Sequence, residues 1–303
     1  MDNIVALRPP EETPFSKYNT PNSPILFPVG ERPVGWMMRD GRYQPTKSHK
    51  AIIRVSADGS SAILLNIVGT GYRLVHNREL FTQVEQCMMD EMLPEHIEDV
   101  KVTDKVSGFG RICYREYLFP HIMCHLPHVR SNIGFRIIVQ NGYGGSALRI
   151  LSGAIDYYCT NGMVSGEYVS MYRQHTSRLE ISDLTGHVKK SLETFTASQD
   201  AWLSWSRKSV RHDHVMALFN SIAGSKKMRE GLIDQYARER EARGVNLWSV
   251  YSTLTYYASH NDGMFTLRSS VEEQNTTAQT MLTRELNVAK WIKTKEWLAL
   301  QDT

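Results

Sequence analysis

The chain has 303 residues, 41% of them hydrophobic, and a formal net charge of +3. That is apolar material for one large domain or two small ones, and so small a net charge does not by itself point to nucleic acid. No run of about eighteen apolar residues and no basic start followed by an apolar core is present, so neither a membrane helix nor a secretory leader is expected, and a soluble, intracellular protein is. Cys87, Cys113, Cys124 and Cys159 are irregularly spaced, as reduced thiols in a cytosol are, rather than as a disulfide framework.

Charge is unevenly distributed. Residues 79–104 hold eight acids against one base, Lys101, whereas residues 105–149 hold six bases against one acid, Glu116. The pattern predicts two differently charged faces, with the acidic stretch a candidate partner surface.

Residues 1–33 carry seven prolines and little periodicity, which predicts an extended arm or a segment laid over the surface. Arg8, Lys17, Tyr18, Arg32, Trp36, Arg39, Arg42 and Tyr43 lie in it or just beyond it, a mixture suited to wrapping a polyanion, packing on the domain or joining oligomers. Residues 50–56 and 61–68 flank Ala57-Asp58-Gly59-Ser60 and read as a β-hairpin. Asn77 opens a helix bearing Leu80, Val84, Cys87, Met88 and Met92, which Pro94 closes. Residues 98–104 and 110–119 form a second strand pair through Ser107-Gly108, and Phe135 to Val139 a further strand.

The stretch 139–163 reads as a strand end, a glycine turn and a helix capped by Ser146, with Leu148, Leu151, Ile155 and Tyr158 at helical spacing and Asn161-Gly162 as the stop. A helix start following Tyr143, Gly144 and Gly145 is a candidate anion site, although the Lys-Ser or Lys-Thr of a triphosphate-binding loop is missing. Residues 167–176 look strand-like. Helices follow, marked by Val188 to Leu203, by Met228 to Arg240, by Leu247 to Ala258, and by Met281 to Trp297. Strands followed by helices indicate an α+β fold, with a mixed, largely antiparallel sheet in the N-terminal half and a helical C-terminal half. The expected division is an arm over 1–33, a core over 34–265 and a C-terminal helix over 266–303.

Binding single strands without sequence choice needs cations along the phosphates and rings on which bases stack. Arg111, Tyr114, Arg115 and Tyr117 supply both within seven residues, with Arg111, Arg115 and Tyr117 on one strand face. Arg136, Tyr143, Arg149 and Arg173 extend the set, and Lys189 and Lys190 begin a second basic group beside Trp202 and Trp205. His121, Cys124, His125 and His128 are the most metal-like cluster, but Pro127 and the missing second ligand pair count against zinc, so neither a metal nor another cofactor is expected. No nucleophile-elbow, zinc-protease or paired-acid pattern occurs, so the protein is not expected to be an enzyme.

Four motifs, GTGYRLVHNRELF at 69–81, GYGGSALRILSGAIDYYCTNGMVSG at 142–166, RQHT at 173–176 and NLWSVYSTLTYYASH at 246–260, resemble in order and spacing the phage and plasmid proteins of domain-of-unknown-function family 932. The resemblance covers residues 40–265. The chain departs from that family at Gly142-Tyr143-Gly144-Gly145, where a His-Asp-Gly turn is common, which argues against a catalytic turn. The proline-rich start and helical second half are also similar to the single-stranded-DNA-binding RNA polymerase cofactors of lytic podoviruses. That resemblance implies non-specific single-strand binding by a fold other than the OB barrel, a phage single-subunit RNA polymerase as partner, and the cytoplasm of an infected bacterium as location. A strand-annealing protein, which would form a homo-oligomer, and a nucleic-acid enzyme with a metal site are the alternative expectations.

Overall fold

The computed structural model describes residues 13–56, 58–157, 161–163, 170–175, 185–260 and 277–302. Two antiparallel sheets occupy the N-terminal half, helices fill the C-terminal half, and neither sheet closes into a barrel. The smaller sheet holds β1 (Val29–Met37), β2 (Tyr43–Val55) and β3 (Ala62–Gly69) in that order. The β2–β3 hairpin arises where alternating apolar residues flank the Asp58-Gly59 turn, with Gly59 at φ 71°.

The larger sheet runs β4 (Lys101–Ser107), β5 (Ile112–Leu126), β6 (Ser131–Gly142) and β7 (Leu148–Asp156). β7 then pairs with β8 (Asn161–Met163) at one end and β9 (Ser170–Arg173) at the other. Residues 148–156 are therefore a central strand and not the helix expected from Leu148, Leu151 and Ile155. With neighbours on both sides and cover on both faces, nearly every position is buried, and the period-two alternation that marks a strand is lost.

Helix α1 (Asn77–Glu91) buries Leu80, Phe81, Val84, Glu85 and Met88. Pro94 opens α2 (Pro94–Ile97), where its missing N–H costs nothing, instead of merely ending α1. The helical half comprises α3 (Thr185–Arg207), α4 (His212–Ile222), α5 (Lys226–Arg243), α6 (Leu247–Ser259), α7 (Thr277–Trp291) and α8 (Lys295–Gln301). Side-chain caps start three of these: Ser225 accepts from the Met228 N–H, Asn246 from Ser249, and Thr294 from Trp297. Trp205, Tyr251 and Trp297 meet edge to face with centroids 5.1–6.1 Å apart, tying α3, α6 and α8 together.

The larger sheet is enclosed on both faces. α1 and α3 cover the face bearing Tyr117, Phe119 and Phe135, and α7 covers the other, where Leu286 packs on Tyr114, Ile138 and Leu151. Of the proline-rich start, the described part buries Phe15 and Ile25 and lays Tyr18, Asn19 and Ser23 against β4 and β5.

Candidate nucleic-acid interface

Because both faces of the larger sheet are covered, five of the ten residues expected to touch DNA lie inside. Arg115 has no exposed surface. Its Nε and Nη2 donate to the two carboxylate oxygens of Asp104 at 2.7 and 2.8 Å, and its Nη1 donates to Glu85 at 2.9 Å and Asn19 at 2.6 Å. Burial pushes the Glu85 carboxyl above its usual value, while Arg115, Asn19 and Tyr117 pull it back. Tyr117 is enclosed with its hydroxyl on Glu85 at 2.9 Å and Phe15 edge-on at 5.8 Å. Asn19 and Phe15 belong to the N-terminal segment, so that segment completes the site by closing it.

On the opposite face Tyr114 is buried under Leu286, and Arg136 bridges Glu116 and Glu285 of α7, each at 2.7 Å. Tyr143 is buried too, its hydroxyl accepting the first N–H of α1, that of Asn77, at 3.0 Å. Arg115, Tyr117, Tyr114, Arg136 and Tyr143 are thus interior polar residues with protein partners. A base or phosphate reaches none of them in this fold, which corrects the expectation of a surface built on β5 and β6.

Other expected positions stay outside or half outside. Arg111 is exposed just before β5, and Arg149 is half-buried on β7. Lys189 and Lys190 project from the start of α3, on a helix packed over the sheet. The backbone of Arg173 pairs with Leu148, while its side chain, like Tyr158 and Cys159, lies outside the described residues. The turn after β6 meets Arg111 directly: the Tyr143 and Gly144 N–H groups donate to the Arg111 carbonyl at 2.7 and 3.1 Å. Gly144 and Gly145 are exposed and Ser146 half-exposed there, but Ser146 starts no helix.

The His-Cys cluster does not converge. Along β5 the side chains alternate, so His121 and His125 point out while Cys124 points into the core. His121 pairs with Asp99 at 2.9 Å and His125 with Asn132 at 2.6 Å. No group of three potential ligands gathers among the described residues. Burial pushes the Cys113 thiol up to about 12, so it stays protonated near neutral pH, and lowers His175 from its ordinary value against the hydrogen bond that its ring donates to the Arg73 carbonyl. Of the acidic stretch, Glu85 and Asp104 turn inward, whereas Glu79, Asp90, Glu91, Glu95, Glu98 and Asp99 are exposed.

The open surface rich in rings and cations is the smaller sheet. Its outer part, the β1–β2 hairpin, begins at a register shift: Pro33 faces Lys50, but Gly35 faces Pro45, leaving residues 46–49 of β2 opposite Val34 alone. Such a bulge bends and re-aims the strands beyond it. Trp36 is directly opposite Gln44, and Met37 opposite Tyr43, so the two rings occupy opposite faces of the hairpin. Both are open to solvent, Trp36 at 56% and Tyr43 at 47%, with the Tyr43 hydroxyl donating to the Pro33 carbonyl at 3.1 Å.

Arg32, Arg39, Arg42, Lys47, Lys50 and Arg54 accompany these rings, against Glu31 and Asp40. Lys50 pairs with Glu31 and Arg42 with Asp40, each at 2.7 Å, while Arg39 and Lys47 face no carboxylate among the described residues. A surface pair such as Arg42–Asp40 is screened by solvent and salt and exchanges readily for a phosphate. The sequence signal for this hairpin is Asp40-Gly41, a turn dipeptide with Gly41 at φ 83°, just beyond the proline-rich stretch read as an arm.

Comparison of the chain with protein-family models, with curated proteins and with solved structures finds no match. No helix among the described residues is long and apolar enough to cross a membrane.

Proposed function

We propose that this protein binds single-stranded DNA without sequence choice through the smaller sheet, and that it acts as a phage transcription cofactor that brings a phage RNA polymerase to exposed template. The observation that carries the reading is the β1–β2 hairpin, which holds Trp36 and Tyr43 out to solvent on opposite faces among Arg39, Arg42 and Lys47. Flat rings interleaved with cations suit a strand whose bases are unstacked and whose phosphates need neutralising, and they demand no groove geometry. The likeness of the proline-rich start and helical second half to the single-stranded-DNA-binding RNA polymerase cofactors of lytic podoviruses supports the polymerase part of this reading. The role is binding and recruitment, with no catalytic step.

Replacing Arg39, Arg42 and Lys47 together by alanine tests the reading. Each phosphate contact contributes about 0.7 to the slope of log K against log salt for single strands, so the triple variant should lose about 2 from that slope and bind more weakly at low salt. Its thermal unfolding should match the wild type, since none of the three is buried. An unchanged slope would place the binding surface elsewhere.

A further inference from the structure

The loop between β4 and β5 does something that packing alone does not require. Gly108, Phe109 and Gly110 all have positive φ, at 58°, 60° and 115°. Glycine adopts such angles without cost, but a bulky L-residue is disfavoured there, and Phe109 sits between two glycines in the left-handed region. Its ring gains no burial in return. At 67% exposure it is the most exposed large apolar side chain among the described residues.

The loop is nevertheless held firmly. Arg54 Nη1 donates to the Phe109 carbonyl at 3.0 Å, and the Arg54 guanidinium lies over the Phe27 ring at 4.0 Å. Phe27 packs so closely on Gly110 that a β-carbon there would meet its Cζ at 2.6 Å. On the other side the Arg111 stem runs against Gly108 and Gly144, and the turn after β6 fixes the Arg111 carbonyl. The Arg111 guanidinium has no carboxylate partner among the described residues.

We infer that Phe109 is a base-stacking contact for single-stranded DNA, with Arg111 and Arg54 as the cations that meet the adjoining phosphates. This rests on the reading of the smaller sheet as a single-strand surface and extends it: Arg54 lies on β2, so the path runs from the hairpin down β2 to the Phe109 loop. A ring presented by a braced loop loses little freedom when a base stacks on it.

The test compares the wild-type protein with Phe109→Gly and Phe109→Trp. Each is titrated with oligothymidylate and with an abasic oligonucleotide of the same length, and each is melted thermally. Phe109→Gly should melt within a few degrees of the wild type or above it, because glycine accepts the backbone angle, yet bind oligothymidylate about tenfold or more weakly. Its binding to the abasic strand should be unchanged, and Phe109→Trp should retain affinity for both. Equal binding of oligothymidylate by the wild type and Phe109→Gly would overturn the inference while leaving the single-strand reading intact. A fall of more than a few degrees in the melting temperature of Phe109→Gly, beyond what glycine's extra freedom in the unfolded chain costs, would also overturn it, by showing that the ring serves the fold. Absence of binding to either strand by the wild type would remove both.

Discussion

Replacing Arg115 by alanine is expected to destabilise the fold by about 3–5 kcal/mol, because it strands two acids in the interior. Glu85 and Asp104 each take one side of the guanidinium, and Asn19 and the Tyr18 carbonyl take what remains. With the cation removed, Glu85 is left nine-tenths or more buried with only Tyr117 and Asn19 as donors, and burial already pushes its carboxyl upward. The cost therefore comes from the uncompensated charge more than from the lost attraction. Replacing Arg115, Glu85 and Asp104 together by apolar residues of similar volume should recover most of the stability. Urea unfolding of the single and triple variants checks both statements. DNA affinity per folded molecule should be unchanged in each, which separates this interior cluster from the surface it resembles in sequence.

Phe135→Ala should cost a similar amount, about 3–5 kcal/mol, for a different reason. Phe135 is fully buried between Phe119 on β5, with centroids 5.3 Å apart, and Phe195 on α3, at 5.2 Å. Phe195 continues to Trp202 at 5.4 Å. The ring is the link through which the larger sheet grips its longest covering helix, and truncation leaves a cavity among rigid aromatic neighbours that cannot collapse into it. The urea midpoint should drop sharply with little change in slope. A loss below about 1 kcal/mol would mean that the helix closes the gap by moving.

How much of this was legible in the sequence follows from how local each signal is. The β2–β3 hairpin and α1 are set by neighbours in the chain, a turn dipeptide between alternating residues and a three-to-four stripe, and they appear where expected. Residues 148–156 mislead because a strand buried on both faces is a continuous apolar run, in which Leu148, Leu151 and Ile155 fall at helical spacing by chance; Gly153 in the middle was the contrary signal. Helix α4 is marked only by Val215, Leu218 and Phe219 on its buried face, a stripe too short for the helical period to stand out.

The site was less legible than the fold. A strand carrying Arg111, Tyr114, Arg115 and Tyr117 reads as a binding face only if nothing covers it. Both coverings are distant in sequence: Glu85 lies 30 residues from Arg115, and Glu285 reaches Arg136 from the last third of the chain. The hairpin at 34–45 had the opposite difficulty. Its rings and cations are plain in the sequence, but whether they pack or project depends on the bulge opposite Val34 and on the absence of apolar cover at the tip, which composition does not encode. Gly-Phe-Gly at 108–110 is the local sign that Phe109 sits at positive φ.

Single-strand binding by the smaller sheet is measured by titrating the wild-type protein with labelled oligothymidylate and with duplex DNA of the same length across a range of salt. The single strand should bind more tightly at every salt concentration, with log affinity falling linearly against log salt and a shallower fall when Arg39, Arg42 and Lys47 are replaced. Equal affinity for the two forms, or no binding near physiological salt, would contradict it.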